Sequence, residues 1–209
     1  MWVWDEELGC YQDTTTGDIL CYEDVNELID RSLDGSILIV AGLALLLAAG
    51  TLSVQAWQDE MIEAIRMNYA QQALLAGGGV AQMSRAEWDV IGSIIREQYR
   101  YLHSFAEEVA AGHLTEGQIT MRSRMYINSA RSAYWRIRDE REGVRGMAQE
   151  RWHAIGDANT CEACSDADAM GWQPLGTFGQ PGSGTVLIDP LTQCSGLTSC
   201  RCTKSYRER

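Results

Sequence analysis

A chain of 209 residues with 45% apolar side chains is long enough to bury a core, and its formal net charge of −12 excludes nucleic acid as the main partner of its whole surface. The charge is uneven: residues 1 to 60 set twelve carboxylates against Arg31 alone, while residues 61 to 209 carry 17 acidic and 16 basic residues. An acidic start, Met1-Trp-Val-Trp-Asp-Glu-Glu, lacks the basic region of a signal peptide, so a reducing, intracellular place of synthesis is expected rather than a secreted disulfide scaffold.

In Cys10-Tyr-Gln-Asp-Thr-Thr-Thr-Gly17-Asp-Ile-Leu-Cys21 two β-prone runs flank a turn, which predicts a hairpin with Gly17 in the left-handed turn position. Cys10 and Cys21 then face each other across it as half-buried strand cysteines. Val25, Leu28, Ile29 and Leu33 fall on one face of a short acidic helix, which Gly35 is expected to end. The stretch 37–54 follows without a charge and just reaches the length of a membrane span. Acidic flanks (Asp30, Asp34, Asp59, Glu60) and the lack of a Lys/Arg cluster favour a helix buried in a bundle or an oligomer interface, with a membrane anchor as the alternative.

Val54, Trp57, Met61, Ile65 and Tyr69 form the apolar stripe of a helix that Gly77-Gly-Gly79 ends. Ser84-Arg-Ala-Glu87 and Thr115-Glu-Gly-Gln118 are capping boxes, each satisfying backbone N–H groups at a helix start. The first opens a helix through Trp88, Ile91, Ile95, Tyr99, Leu102, Ala106 and Val109. The second opens a helix expected to run through Ile119, Tyr126, Ala130, Ala133 and Ile137 to about Gly143. Short connections imply antiparallel packing. Arg122, Arg124, Arg131, Arg136 and Arg138 crowd this last helix, and either pair with its own acids or meet packaged DNA or an acidic partner. Against this abundance of arginine, Lys204 is the only lysine in the chain.

From residue 149 the composition turns to Gly, Pro and Cys. Such a segment buries little by itself and needs a metal or disulfides. Cys161-Glu-Ala-Cys164 supplies one knuckle and Cys194 with Cys200 the second, the tetrahedral thiolate set that suits one structural Zn²⁺ per chain. Cys202 is the alternative to Cys200, because side chains two apart on an extended strand point to opposite faces. Disulfides are the competing reading. The three histidines lack metal-protease spacing, and no nucleophile elbow or Walker loop occurs, so no enzyme is expected. A redox Cys-x-x-Cys would call for a helix start within a βαβ unit.

Trp152-His-Ala-Ile-Gly-Asp-Ala-Asn-Thr-Cys161-Glu-Ala-Cys164, then Gly171-Trp-Gln-Pro174, a Gly/Pro-rich loop and Ser199-Cys-Arg-Cys202 together resemble the C-terminal module of tailed-phage minor head proteins, the phage Mu F-like head morphogenesis family. Gln98-Tyr-Arg-Tyr-Leu-His-Ser-Phe105 and Arg124-Met-Tyr-Ile-Asn-Ser-Ala130 are similar to stretches of phage-encoded chains. Many members carry His-Pro before the final Cys-x-Cys; here Cys194 stands in for that histidine, which leaves the fourth ligand open. The resemblance covers about a quarter of the chain. It implies a virion structural protein, made in the host cytoplasm and placed at the portal vertex or the capsid interior. Its partners would be the portal or major capsid protein, with self-association and packaged DNA as further contacts, and no reaction is implied.

The fold class expected is therefore mainly α, with an N-terminal β-hairpin, antiparallel long helices and a small Cys-rich, zinc-ribbon-like module. The divisions are 1–35 for the hairpin and acidic helix, 36–148 for the helical domain, and 149–209 for the module.

Overall fold

The computed structural model describes residues 2–5, 10–17, 19–21, 25–188, 191–196 and 201–208. It is mainly helical, with small antiparallel sheets and a cluster of cysteines near the C-terminus. At the N-terminus β1 (Trp2–Asp5), β2 (Cys10–Asp13) and β3 (Ile19–Cys21) form a three-stranded sheet in the order β1-β2-β3. The expected hairpin is β2–β3, with Cys10 opposite Cys21 in the backbone register and Gly17 at φ 77° in the turn. The strand β1 was not read from the sequence.

The helix α1 runs from Val25 to Ala48 without a break. Gly35 does not end the acidic helix, and the boundary expected at 35/36 falls in the middle of α1. A glycine inside a helix costs only about 1 kcal/mol against alanine, which the apolar run on both sides outweighs. The helix ends instead near Gly50, at φ 68°, and a new one starts at Ser53, so 37–54 is not one segment. Among the described residues α1 is the helix long and apolar enough to cross a membrane, by length and composition. One of its faces is in the bundle: Val25, Leu28, Ile29, Leu33, Val40, Ala44 and Leu47 are buried. Leu38, Ile39, Leu45 and Leu46 lie exposed on the other.

Next come α2 (Val54–Ala76), a 3-10 turn at Val80–Gln82, α3 (Arg85–Ala110), α4 (Glu116–Asn128) and α5 (Arg131–Val144). Both capping boxes form as read, with Ser84 and Glu87 opening α3 and Thr115 and Gln118 opening α4. The central element is α2, which packs against α1, α3, α4 and α5. Its stripe is the bundle's spine: Trp57, Met61, Ile65 and Tyr69 are fully buried, and Trp57 meets Phe105 of α3 edge-on at 5.2 Å between ring centres.

The single helix expected from Thr115 to Gly143 is two, broken at Ser129–Ala130. The Ser129 hydroxyl donates to the carbonyl of Tyr126 at 2.9 Å and is 2.7 Å from Tyr69 Oη; Ser132 donates to the carbonyl of Ser129 at 2.6 Å. Serines that bond back to preceding carbonyls bend a helix, and here a buried tyrosine from another helix fixes the bend. Burial pushes the Tyr69 phenol well above its usual range, so it stays neutral.

After α5 the chain enters β4 (Gln149–His153). This strand lies between β5 (Gln173–Pro174) and β8 (Thr203–Arg207), both antiparallel to it. The short helix α6 (Glu162–Ala169) and the pair β6 (Thr185–Leu187) and β7 (Thr192–Gln193) complete it. Its core is separate and small: Trp152, Phe178, Val186 and Ala167 pack with Cys164, Cys194 and Cys202. Gly179 is required there, because a Cβ would lie 2.4 Å from the Thr185 carbonyl oxygen.

Candidate metal centre

The Cys-x-x-Cys stretch is shaped by the turn before it. Asp157 accepts from the Asn159 N–H at 3.0 Å and from the Thr160 hydroxyl at 3.2 Å, and the chain then enters α6 with Cys161 as its N-terminal flanking residue. The N–H groups of Cys164 and Ser165 both donate to the Cys161 carbonyl, each at 3.1 Å, which folds Cys164 back beside Cys161. The third cysteine comes from the end of β7, where the Cys194 N–H donates to the Gly184 carbonyl at 2.9 Å.

The Cys194 sulfur lies 3.5 Å from that of Cys161 and 3.6 Å from that of Cys164, and all three sulfurs fall within 4.8 Å of one another. Two thiolates on a tetrahedral zinc, with bonds of about 2.3 Å, stand roughly 3.8 Å apart. A disulfide needs about 2.05 Å. The three cysteines therefore fit a shared ion and are not bonded to each other. Cys164 and Cys194 are buried and Cys161 is partly exposed.

Burial works against ionising Cys161, but hydrogen bonds from the Cys164 thiol and N–H, the Ser195 N–H and the Cys194 thiol outweigh it. Its thiol is lowered to about 7, so a metal-binding thiolate is accessible near neutral pH.

Of the two candidates for a fourth ligand, Cys200 lies outside the described residues. Cys202 is buried in the same cluster. The segment leading to it is tied down on both sides: Arg201 forms an ion pair with Asp157, and its carbonyl accepts from Asn26 Nδ2 of α1 at 2.9 Å. That guanidinium also holds the Asp157 carboxyl below the usual carboxylate range, aided by the Asn159 N–H, against a small opposing effect of burial.

The surroundings decide what chemistry is open to the centre. Cys161 does stand at a helix start, as a redox pair would. However, the strands around it are antiparallel, with no βαβ unit among the described residues, and a third sulfur sits against the pair. Two clefts, of about 720 and 410 Å³, are lined mainly by helical residues, the larger also by Gln180 and Ser183, and neither by a described cysteine.

The arginines are placed differently from the expectation of a basic contact face. Arg131 and Arg138 are buried, paired with Asp30 of α1 and, at 2.5 Å, with Glu142. Arg122 clamps Glu108 with contacts of 2.7 and 3.1 Å and stacks on the Phe105 ring at 4.1 Å, while Arg136 pairs with Glu140 at 3.2 Å. Only Arg124 of the five is exposed without an ion pair among the described residues. Arg122 and Arg131 thus tie helices to one another, while Arg136 and Arg138 pair with acids of α5 itself.

A polar junction between the bundle and the module was missed. Lys204 of β8 is fully buried between Asp139 of α5 and Glu150 of β4. The lone lysine was visible in the sequence, but its partners lie more than fifty residues away. Compared with protein-family models, with curated proteins and with solved structures, the chain shows no match.

Proposed function

We propose that the chain is a non-enzymatic structural protein of the tailed-phage minor head type, which works in head assembly through protein contacts and whose C-terminal module is held by one structural Zn²⁺. The observation that carries this reading is the three-sulfur cluster at 3.5–3.6 Å, buried in a core too small to fold unaided. Cys161, Cys164 and Cys194 supply three ligands, and the segment 200–202 supplies the fourth. Zinc bound there would cross-link the knuckle to β7 and β8. A set of three thiolates closed by a fourth from 200–202 would leave no open position, which supports a structural ion over a catalytic one.

Contacts for assembly are supported by α1. Its exposed Leu38, Ile39, Leu45 and Leu46 form the kind of contiguous apolar patch that a protein neighbour covers. The membrane alternative is weakened because the opposite face of the same helix is core to a bundle whose α4 and α5 are rich in charge.

Metal analysis of the purified chain is expected to find close to one zinc per chain. A folded module free of metal would sink the zinc reading. Sedimentation of the chain with assembled particles, in the absence of detergent, tests the assembly reading separately.

A further inference from the structure

Of the 17 basic residues only Lys204 is lysine, and it is buried. Its Nζ lies 2.8 and 2.9 Å from the two oxygens of Asp139 and touches Glu150 Oε2. Glu150 is itself fully buried. Its Oε1 is occupied by the N–H groups of Gly176 at 2.9 Å and Phe178 at 2.8 Å, which turns Oε2 toward the lysine. The Asp139 carboxyl receives two more donors, Tyr206 Oη on Oδ1 at 2.5 Å and Gln180 Nε2 on Oδ2 at 3.0 Å.

We propose that Lys204 and Asp139 become joined by an amide bond between Nζ and Cγ, an intramolecular isopeptide cross-link formed in the folded chain with Glu150 as the proton carrier.

The choice of lysine is the first argument. Among the described residues the other fully or partly buried ion pairs use arginine: Arg138–Glu142 is buried on both sides, and Arg131–Asp30 and Arg141–Glu87 are partly buried. A forked guanidinium also suits a site with two carboxylates better than an ammonium does. What lysine has and arginine lacks is a nitrogen that can lose a proton and attack a carbonyl carbon.

Charge is the second argument. One ammonium between two ionised carboxylates would leave a net negative charge in an apolar core, so one carboxyl is best protonated. Both Asp139 oxygens accept from a second donor, whereas Glu150 Oε2 has no partner but Lys204 among the described residues, and burial pushes the Glu150 carboxyl up with Lys204 opposing; Glu150 is thus the group placed to carry a proton.

The step balances without any co-reactant. The Lys204 ammonium passes a proton to the Asp139 carboxylate, and the neutral amine adds to Cγ. Glu150 protonates the departing Asp139 oxygen and takes a proton from the nitrogen. The Nζ–Cγ bond forms, one Cγ–Oδ bond breaks, and water leaves with two of the ammonium's three protons. Tyr206 and Gln180 stand where negative charge develops on the oxygens, as donors placed before the reaction begins. Contact at hydrogen-bond distance in a rigid core replaces the encounter that the uncatalysed condensation lacks. The product ties β8 to α5 and closes a loop across the whole module.

Mass spectrometry of the intact, folded full-length chain tests this. The cross-linked protein is expected to weigh one water less than its sequence. After denaturation, a protease that cuts only after lysine should then release nothing, because the single lysine carries an amide. A chain folded by circular dichroism that has its full sequence mass, and that yields the fragment Ser205–Arg209, overturns the proposal and leaves an ordinary buried ion pair. Lys204→Arg and Glu150→Gln are expected to keep the full sequence mass. Water loss that persists in Lys204→Arg places the reaction elsewhere and overturns it too.

Discussion

Between Val25 and Val144 the chain buries Trp57, Trp135, Tyr69, Tyr134 and Phe105 completely, along with aliphatic side chains from five helices. Between Gln149 and Arg207 it buries Trp152, Phe178 and Val186, and the remaining centre of that core is sulfur and a buried lysine. The bundle is held by apolar area, at roughly 25 cal/mol per Å² removed from water. The module has strands of two to five residues and too few apolar side chains for that. It is held by specific contacts: three sulfurs close enough to share a metal ion, Arg201 to Asp157, and Lys204 to Asp139 and Glu150. Area tolerates substitution gradually, whereas a few bonds of this kind fail all at once.

The largest expected effect follows from that. Structural zinc in small modules contributes on the order of 10 kcal/mol or more to folding. Chelation, or Cys164→Ser, should therefore unfold residues 149–208, seen as rapid proteolysis there and a red shift of Trp152 fluorescence. The helical signal at 222 nm should largely persist. A protease-resistant module after chelation would break the comparison. Trp57→Ala is the matching test in the bundle, expected to cost about 3–5 kcal/mol in chemical denaturation while zinc is retained. Trp152→Ala should do the reverse, releasing zinc with little change in the helical transition.

Acid separates the two regions by sign. Burial raises the Glu87 carboxyl, but hydrogen bonds from Arg141 at 2.6 Å and from the Ser84 N–H outweigh it, and the net shift is downward. In the unfolded chain this carboxyl returns to its ordinary value. Its stabilising contribution is thus present above the ordinary carboxylate range and lost as pH falls through the lowered value. Glu150 is shifted upward by burial, so between the ordinary value and its raised one its contribution declines as pH rises. Glu87→Gln should cost about 2 kcal/mol near neutrality and flatten the acid limb of bundle stability, because it replaces the charge-assisted hydrogen bond with Arg141 by a neutral one while the capping box is kept. Urea melts across pH 3–7 that show the same slope with and without Glu87 would remove the assignment.

What could be read from the sequence was local. Ser84 with Glu87 and Thr115 with Gln118 announce helix starts because donor and acceptor are three residues apart, and the structure forms both boxes. Cys161 and Cys164 are equally local, and Cys194 could be joined to them because thiolates have few other reasons to cluster. The bend at Ser129 needed Tyr69, sixty residues earlier, and the pairing of Arg131 with Asp30 needed α1 and α5 to meet. Neither is visible in a helical wheel. Lys204 lay between these cases: its rarity marked it, but a rare residue says nothing about which two carboxylates it faces.

The smallest effect tests a place where local reading misled. Gly35 has helical neighbours on both sides, and a methyl group added to it would meet nothing within 4 Å. No turn, positive φ or close approach requires glycine there. Gly35→Ala should raise bundle stability by about 1 kcal/mol, through the lower backbone entropy of the unfolded chain and better helix propensity. Gly42 is in the same helix with the same open space, and Gly42→Ala should add a similar increment. A loss of stability in either variant would mean that α1 does break near the substituted residue, and the apolar face carrying Leu38, Ile39, Leu45 and Leu46 would then not be the continuous surface described.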